Sequence, residues 1–182
     1  RRPRRGTILD TRCPWVEKRR EPGPASIRLA ANAKEAPVPR AEDLLRTKSD
    51  RSVVWIAPDA TALEASRRMS DRRVGSLAVI GAGGELVGIL TERDILNRVV
   101  AQSRDPGQTR VEDIMTRDVI CCDRETRCCE IKALMRDQRI RHVPVVETKR
   151  VVGMISIGDL NAAEAEEMVQ TIQYLEQYVT PS

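Results

Sequence analysis

The chain has 182 residues, 41% of them hydrophobic and 32% charged, which suits one compact domain or two small ones. Aromatic residues make up only 2%, so a surface that stacks nucleobases on aromatic rings is nearly excluded. No apolar run approaches the ~20 residues of a membrane-spanning helix, and no signal-peptide pattern opens the chain. We therefore expect a cytoplasmic protein without a membrane segment.

The basic charge is concentrated in the first part of the chain. Residues 1–40 hold 11 Lys and Arg against 4 Asp and Glu, whereas residues 41–182 hold 20 against 23. The net charge is therefore +7 in the first segment and −3 in the remainder. The first segment also holds six of the ten prolines and lacks a sustained apolar periodicity, which predicts a disordered basic tail.

Three interpretations of this tail stay open. Its Arg-rich start at residues 1–5 is typical of a segment that binds nucleic acid or another polyanion. An organelle transit peptide is the second interpretation, but such peptides are Ser-rich and poor in acids, whereas this segment has one Ser and four acids. The third is an extension without a function.

The five cysteines do not have the pattern of a secreted disulfide framework. Cys13 lies in the tail, and the others form vicinal pairs at 121–122 and 128–129, whose side chains diverge. Their spacing is not a recognised zinc pattern, and the chain's single histidine, His142, is distant in sequence. We predict reduced, buried thiols and no metal site.

The middle of the chain contains an internal repeat. A helix and two strands of the first copy recur 65 or 66 residues later: residues 62–69, 74–80 and 86–90 recur at 128–135, 140–146 and 151–155. The change of offset falls in the turn between the two strands, where a duplicated unit tolerates a length difference.

Each copy contains a strand, a helix, two further strands and a second helix. The copies span residues 42–106 and 110–162, and their opening strands are predicted at 53–57 and 119–122. A unit of about 60 residues buries only ~60% of its chain surface, so it is marginally stable alone. The predicted fold is therefore mixed α/β (α+β), with two βαββα repeats packed as a pseudo-twofold pair.

The last segment, residues 163–180, is predicted to be a helix. Met168, Ile172, Leu175 and Val179 follow one another at helical spacing and form one apolar stripe. The stripe either faces a partner or packs back on the body of the chain, and both interpretations stay open.

A hydroxyl-x-x-acid motif follows the last strand of each copy. It is Thr91-x-x-Asp94 in the first copy and Ser156-x-x-Asp159 in the second. One such motif alone indicates a capping box, which satisfies the free N–H groups of a helix start. The same helix start favours a phosphate, and the carboxylate can accept two hydrogen bonds from a ribose. Two motifs at equivalent positions favour a binding role in addition to the cap.

No catalytic arrangement is found in the sequence. A single histidine leaves no Ser-His-acid or Cys-His combination that can be tied to a nucleophile. The sequence has no Gly-x-x-x-x-Gly-Lys motif and no metal quartet. We therefore predict that the protein is not an enzyme.

Four stretches, found in both copies and in order over residues 42–162, together indicate one family. They are Gly-Ile-Leu-Thr-Glu-Arg-Asp at 88–94, Val-Glu-Asp-Ile-Met-Thr at 111–116, Arg-Ile-Arg-His-Val-Pro-Val-Val at 139–146 and Gly-Met-Ile-Ser-Ile-Gly-Asp at 153–159. As a set they resemble the cystathionine-β-synthase (CBS) domain. The resemblance implies a non-catalytic sensor module that forms a homodimer and binds an adenosine nucleotide (AMP, ADP, ATP or NADH) between its repeats. It implies no obligatory cofactor, and leaves room for an unidentified protein partner.

The resemblance also implies roles for the hydroxyl-x-x-acid motifs. It implies phosphate or ribose contact at Thr91 and Ser156, and ribose recognition at Asp94 and Asp159. For the phosphate end it implies three further residues, which are Arg93, Arg141 and His142. The second copy has Gly158 where the first has Arg93, so the two copies supply their charge at different places. For His142, a strand-end histidine without a binding role remains the alternative.

An adenine ring needs an apolar slot with backbone hydrogen bonds at its edge. The opening strands offer candidates at Thr116, Val119 and Ile120 in the second copy and at 53–56 in the first. Trp55 lies in this region, and for a lone Trp in a strand a core or interface role is favoured.

Two other functions stay open. The first is a dimeric interaction module that binds no ligand and regulates a partner enzyme, and Gly158 supports it. The second is nucleic-acid binding through the basic tail, which the acidic body disfavours.

Overall fold

The computed structural model describes the backbone of residues 38–48 and 53–179, and the side chains of residues 38–48 and 53–176. The predictions for residues 1–37, and for the side chain of Val179, lie outside the described residues. Residues 38–40, which the tail prediction included, are held against the second repeat, since Cys128 N donates to Pro39 O at 2.9 Å.

The described chain contains short strands, most of them paired in two hairpins, and helices before, between and after them. In chain order they are α1 (Ala41–Thr47), β1 (Trp55–Ile56), α2 (Ala62–Arg72), β2 (Ser76–Ile80), β3 (Leu86–Thr91), α3 (Glu92–Ile95), α4 (Val111–Ile114), α5 (Cys128–Gln138), β4 (His142–Glu147), β5 (Arg150–Ser156) and α6 (Ile157–Val179). A π-helical turn, Leu96–Val100, extends α3. The predicted mixed α/β fold with two βαββα repeats is confirmed.

The two repeats have the same sheet register. β2 pairs antiparallel with β3 and β4 with β5, and each hairpin begins at an equivalent pair, Ser76 with Thr91 and His142 with Ser156. The opening strands are shorter than predicted. β1 has two residues, parallel to β2, and the second copy keeps one parallel bridge, at Cys122. A tight turn before Cys122, in which Val119 N donates to Arg117 O, keeps the earlier residues out of the sheet.

The short helix at the start of each repeat packs on the other repeat. α1 lies against β5, and its Ala41 and Leu44 belong to the second core, the buried cluster of the second repeat. α4 lies against β3, and Val111 and Ile114 belong to the first core, the buried cluster of the first repeat. Each core is therefore completed by the opening helix of the other repeat.

Two glycines allow this exchange of helices. A Cβ atom on Gly88 of β3 would lie 2.6 Å from Met115 Sδ, just after α4. A Cβ atom on Gly153 of β5 would lie 2.4 Å from Leu45 Cδ2 in α1. Both distances are shorter than a normal contact, so a side chain at either glycine would force Met115 or Leu45 to shift from its position on the strand.

The last helix is longer than predicted. α6 is continuous over Ile157–Val179, so the predicted boundary at residue 162 falls within it. Its first turns contribute Leu160 and Ala163 to the second core, and Lys132 of α5 forms an ion pair with Glu164. From Ala165 to Glu176 the described side chains are exposed, so this stretch adds no buried side chain to either core. No helix in the described residues is long and apolar enough to cross a membrane.

Leu44→Ala is expected to lower the free energy of unfolding by about 2–5 kcal/mol, because it opens a cavity in the second core. Because α1 packs on β5, amide hydrogen exchange is expected to rise more in β5 than in β2. Hydrogen–deuterium exchange followed by mass spectrometry measures this difference. The matched control is Ile114→Ala, for which the rise is expected in β3. A larger rise in β2 than in β5 for Leu44→Ala would contradict the exchange of helices.

Candidate ligand-binding clefts

Both hydroxyl-x-x-acid motifs form the same hydrogen bonds at a strand–helix junction. In the first repeat, Thr91 N and Oγ1 donate to Asp94 Oδ2 at 2.9 and 2.6 Å, and Asp94 N donates to Thr91 Oγ1 at 3.2 Å. In the second, Ser156 N and Oγ donate to Asp159 Oδ2 at 2.6 and 2.7 Å, and Asp159 N donates back at 3.3 Å. Each carboxylate is therefore fixed in orientation at the start of a helix.

The carboxylate of the first repeat is surrounded by further polar groups. Arg98 Nη2 lies 3.3 Å from Asp94 Oδ1, and Thr116 Oγ1 lies 3.5 Å from the same oxygen. Arg98 also donates to Ile114 O at 2.6 Å and to Thr116 Oγ1 at 3.3 Å. The structure thus brings the predicted residues Thr91, Asp94 and Thr116 together. The sequence analysis missed Arg98, although its i, i+4 spacing from Asp94 is a detectable signal.

The carboxylate of the second repeat has one cationic partner. Lys48 Nζ lies 2.7 Å from Asp159 Oδ2 and donates to Met154 O at 2.7 Å. Burial alone raises the pKa of Asp159, but the hydrogen bonds from Lys48 and Ser156 outweigh it and hold this pKa below its usual value. Lys48 follows α1, and no local pattern predicts a contact between residues so distant in sequence.

A cleft of about 500 Å³, the first cleft, opens between the repeats. The second repeat contributes Arg141, His142 and Ser156 to its wall, so three predicted residues meet here. The first repeat contributes Arg73 and Glu92. Asp159 is bonded to Ser156 at the edge of this cleft. The wall of the cleft therefore combines hydroxyl, imidazole and guanidinium groups with the Glu92 carboxylate, while Asp159 is joined to the wall through Ser156.

Electrostatics favour the neutral imidazole at His142. Burial lowers its pKa, and the Arg141 charge lowers it further. The carboxylates of Glu92 and Asp159 oppose this shift without cancelling it, while Lys48 adds to it. The ring lies half-buried at the start of β4. His142 is therefore neutral near pH 7 and presents one donor and one acceptor.

A second cleft, of about 670 Å³, adjoins the first. Arg141 and Ile157 line both clefts, which makes them neighbours along one surface. Arg93 lies in the second cleft together with Arg139. The predicted phosphate residues are thus divided, because Arg93 does not line the first cleft and His142 does not line the second.

Of the predicted adenine residues of the second copy, Thr116 lies beside Asp94, whereas the other two are not gathered with the predicted site residues. Val119 and Ile120 are half-buried and line neither cleft. Trp55 is 52% exposed, so of the core or interface role favoured for it the core role is wrong and the interface role stays a prediction. Its neighbour Ile56 takes the inward position of the two-residue strand β1 and leaves Trp55 on the outer face.

Of the four cysteines in the described residues, three lie outside both clefts, and the exposed Cys129 lines the second. Cys121 and Cys122 are buried, and Cys128 is half-buried. Burial raises the pKa of the Cys128 thiol to about 11, with smaller contributions from Asp43 and Cys129. This thiol is therefore protonated and unreactive at neutral pH. Within the described residues, no three His, Cys, Asp or Glu side chains are grouped to hold a metal ion.

The comparison with known protein families supports the internal repeat found in the sequence. The family model of the CBS domain matches residues 41–101 and 111–166. The chain belongs to the CBS domain family. The two matched stretches are its two CBS repeats, so the resemblance in the sequence is confirmed.

Relatives and solved structures extend this result over most of the chain. The mitochondrial CBS domain-containing protein CBSX3 of Arabidopsis thaliana is 38% identical over 144 residues, which cover 75% of this chain and 70% of the relative. A crystal structure of a CBS-domain protein from Agrobacterium tumefaciens superposes with a TM-score of 0.67 at 33% identity, covering 74% of this chain and 99% of that one. A CBS domain pair solved with 5′-methylthioadenosine and S-adenosyl-L-methionine superposes at 0.64, with 26% identity and coverages of 72% and 99%. The protein is thus a CBS pair, a regulatory type of module.

His142 is expected to titrate below the ordinary pKa of histidine, because burial and Arg141 disfavour its charged form. At a pH just below the ordinary pKa of histidine, the folded protein therefore binds fewer protons than the unfolded chain. Stability is therefore expected to fall as the pH drops through it, and His142→Gln is expected to remove this dependence. Because the chain has one histidine, a single NMR resonance reports the titration directly. A titration midpoint of His142 at or above the ordinary pKa of histidine would contradict the description of this site.

Proposed function

We propose that this CBS pair is a regulatory module that binds an adenosine nucleotide in the first cleft. The main support is that Ser156, Arg141 and His142 line one cleft and that Asp159 is hydrogen-bonded at its edge. This cleft has the volume of a small-molecule site and is formed by both repeats. A related CBS pair has been solved with adenosine compounds, which is consistent with this ligand class.

Asp159 is our candidate for the ribose contact. All of its side-chain contacts in the described structure use Oδ2, with Ser156 and Lys48 as donors. Its Oδ1 oxygen is therefore available to accept hydrogen bonds from the ribose hydroxyls. At Asp94, by contrast, Oδ1 already faces Arg98 and Thr116. We infer that the second repeat provides the stronger of the two ribose positions.

Arg141 and His142 are our candidates for the first phosphate. Both lie at the start of β4, next to Ser156 across the hairpin. Arg141 supplies a permanent charge, and the neutral His142 supplies a hydrogen-bond donor. Glu92 is the carboxylate in the wall of this cleft, and it opposes an anion there.

The position of the cleft between the two repeats indicates how binding of a nucleotide would regulate a partner protein. Arg73 and Glu92 come from the first repeat, whereas Arg141, His142 and Ser156 come from the second. A ligand that contacts both repeats stabilises the arrangement that brings them together, and shifts the population towards it. A partner that recognises this arrangement then responds to the nucleotide. The protein acts in this scheme as a sensor and not as an enzyme.

Asp159→Asn is expected to weaken nucleotide binding about tenfold or more, because it removes a charged acceptor for the ribose. Asp94→Asn is expected to have a smaller effect. Isothermal titration calorimetry with AMP, ADP, ATP and NADH measures the affinities of both variants. The matched control is Glu64→Gln, which alters the capping box at Thr61 and lines neither cleft. Equal affinities of Asp159→Asn and wild type would refute the assignment, and no binding of any nucleotide to wild type would favour the ligand-free interaction module.

We infer that the protein is a homodimer in which the stripe on α6 takes part. Met168, Ile172 and Leu175 are 66%, 49% and 54% exposed, an unusual position for three large apolar side chains on one helix face. Ile172→Lys is expected to shift the chain towards monomer, measured by sedimentation equilibrium. The matched substitution Gln173→Lys adds the same charge next to the stripe and is expected to leave the mass unchanged. A dimer of equal affinity in Ile172→Lys would exclude this role.

The cytoplasmic location stays a prediction. The Arabidopsis relative is named as mitochondrial, which keeps the transit-peptide interpretation of the tail open. Nucleic-acid binding through the tail also stays a prediction, since residues 1–37 lie outside the described structure.

A further inference from the structure

The wall of the second cleft combines apolar surface with a concentration of positive charge. Ala133, Ile140 and Ile157 are half-buried and supply apolar surface. The single carboxylate of the wall, that of Glu164, stands against five cationic side chains, which are those of Arg93, Lys132, Arg136, Arg139 and Arg141. Residues 41–182 as a whole carry a net charge of −3, so this charge is local to the cleft. Such a wall favours an occupant that is both apolar and acidic.

Three of the five cations have no ion pair of their own. Lys132 is paired with Glu164, and Arg136 Nε lies 3.2 Å from Asp137 Oδ1. The other three cations have no side-chain ion pair within residues 38–48 and 53–176, and all three are exposed: Arg93, Arg139 and Arg141. Their charge is therefore available to an acidic partner.

The exposed part of α6 has the complementary character. Met168, Ile172 and Leu175 form its apolar stripe, and Val169 beside them is 52% exposed. Over its 23 residues α6 contains five acidic residues and no Lys, Arg or His. A helix with one apolar face and only negative charge matches the second cleft in both respects, since amphipathic helices bind grooves through their apolar face.

The helix that fills the second cleft cannot be the α6 of the same chain. α6 is continuous from Ile157, which lines the second cleft, and Glu164 further along still lines it. From Ala165 onward its described side chains are exposed, so the helix leaves the cleft and does not fold into it. A second copy of the chain, by contrast, brings an identical helix whose stripe is uncovered.

Charge disfavours the packing of two stripes directly on each other. Two α6 helices side by side would bring acidic side chains close to acidic side chains, because Glu176 directly follows Leu175 of the stripe. Like charges placed opposite one another across an interface cost affinity. Packing of the stripe on the second cleft instead brings opposite charges together, and a twofold axis forms this contact twice.

We propose that the protein forms a reciprocal homodimer, in which the stripe on α6 of each copy docks on the second cleft of the other. Ala133, Ile140 and Ile157 cover the apolar side chains of the stripe, and the cations of the cleft face the acidic residues of the helix. The proposal rests on the homodimer of the proposed function and adds the surface that receives the stripe. Because Arg141 and Ile157 line both clefts, the docked helix lies next to the first cleft.

Disulfide crosslinking tests this contact, because the second cleft contains an exposed thiol, that of Cys129. Met168→Cys and Leu175→Cys each place a thiol on the stripe of the full chain. The matched control is Gln170→Cys, which lies two residues from Met168 and therefore on another face of the same exposed helix. Equal amounts of isotope-labelled and unlabelled chain are mixed and oxidised with diamide, and mass spectrometry identifies the linked peptides. We expect at least one stripe variant to form a disulfide with Cys129 of the partner subunit, and the control to form little.

A charge reversal in the second cleft provides an independent measurement. Arg136→Glu is expected to raise the dimer dissociation constant about tenfold or more, measured by sedimentation equilibrium, because it replaces an attraction by a repulsion. The matched control is Lys149→Glu, which makes the same change in the exposed β4–β5 turn and lines neither cleft. The control is expected to leave the dissociation constant unchanged.

Every other outcome overturns the reciprocal contact. A disulfide between two copies at the substituted position itself would show that the stripes pack on each other, and would leave the homodimer standing. A disulfide with Cys13 would show that the basic tail covers the stripe. No disulfide in either stripe variant, or equal dimer affinities of Arg136→Glu and wild type, would exclude the second cleft as the docking surface. A monomeric wild type would overturn the homodimer as well, whereas nucleotide binding by the same sample tests the sensor function separately.

Discussion

The packing of each opening helix on the opposite repeat is the contact on which the rest of the structure depends. Neither repeat has a complete core of its own, since Ile114 closes the first core and Leu44 closes the second. A repeat of this size is marginal alone, and the exchange provides the missing apolar surface without enlarging either sheet. It also fixes the repeats relative to one another, which keeps the space between them open as clefts.

The same exchange places the polar partners of the two carboxylates. Lys48 follows α1 and is thereby carried to β5, where it meets Asp159. Thr116 follows α4 and pairs with Ile89 of β3, which brings it to Asp94. The surroundings of the two carboxylates therefore arise in the same way. In each case the segment after an exchanged helix reaches the carboxylate of the other repeat. The partners differ, a lysine in one case and a hydroxyl with Arg98 in the other, so the two positions are related but not equivalent.

Much of this fold could be predicted from the sequence because its signals are local. The repeat, the hairpins and the two capping boxes depend on spacings of a few residues and on an offset that any sequence comparison detects. Lys48, by contrast, is matched to Asp159 only through the exchange of helices, and no local pattern encodes that contact. The length of β1 and the exposure of Trp55 depend on which residues pair across a sheet. Arg73 and Arg139 were missed because their place in the cleft walls depends on how the ends of α2 and α5 pack against the other repeat.

The continuity of α6 has a mechanical consequence. Its first residue directly follows Ser156 at the first cleft, and its 23 residues make a rod about 35 Å long. Only its first turns are anchored in the second core, through Leu160 and Ala163. A tilt of about 5° at the anchored end would displace the free end by about 3 Å. A small rotation of the first turns would therefore move the exposed apolar stripe farther than it moves the residues beside the cleft.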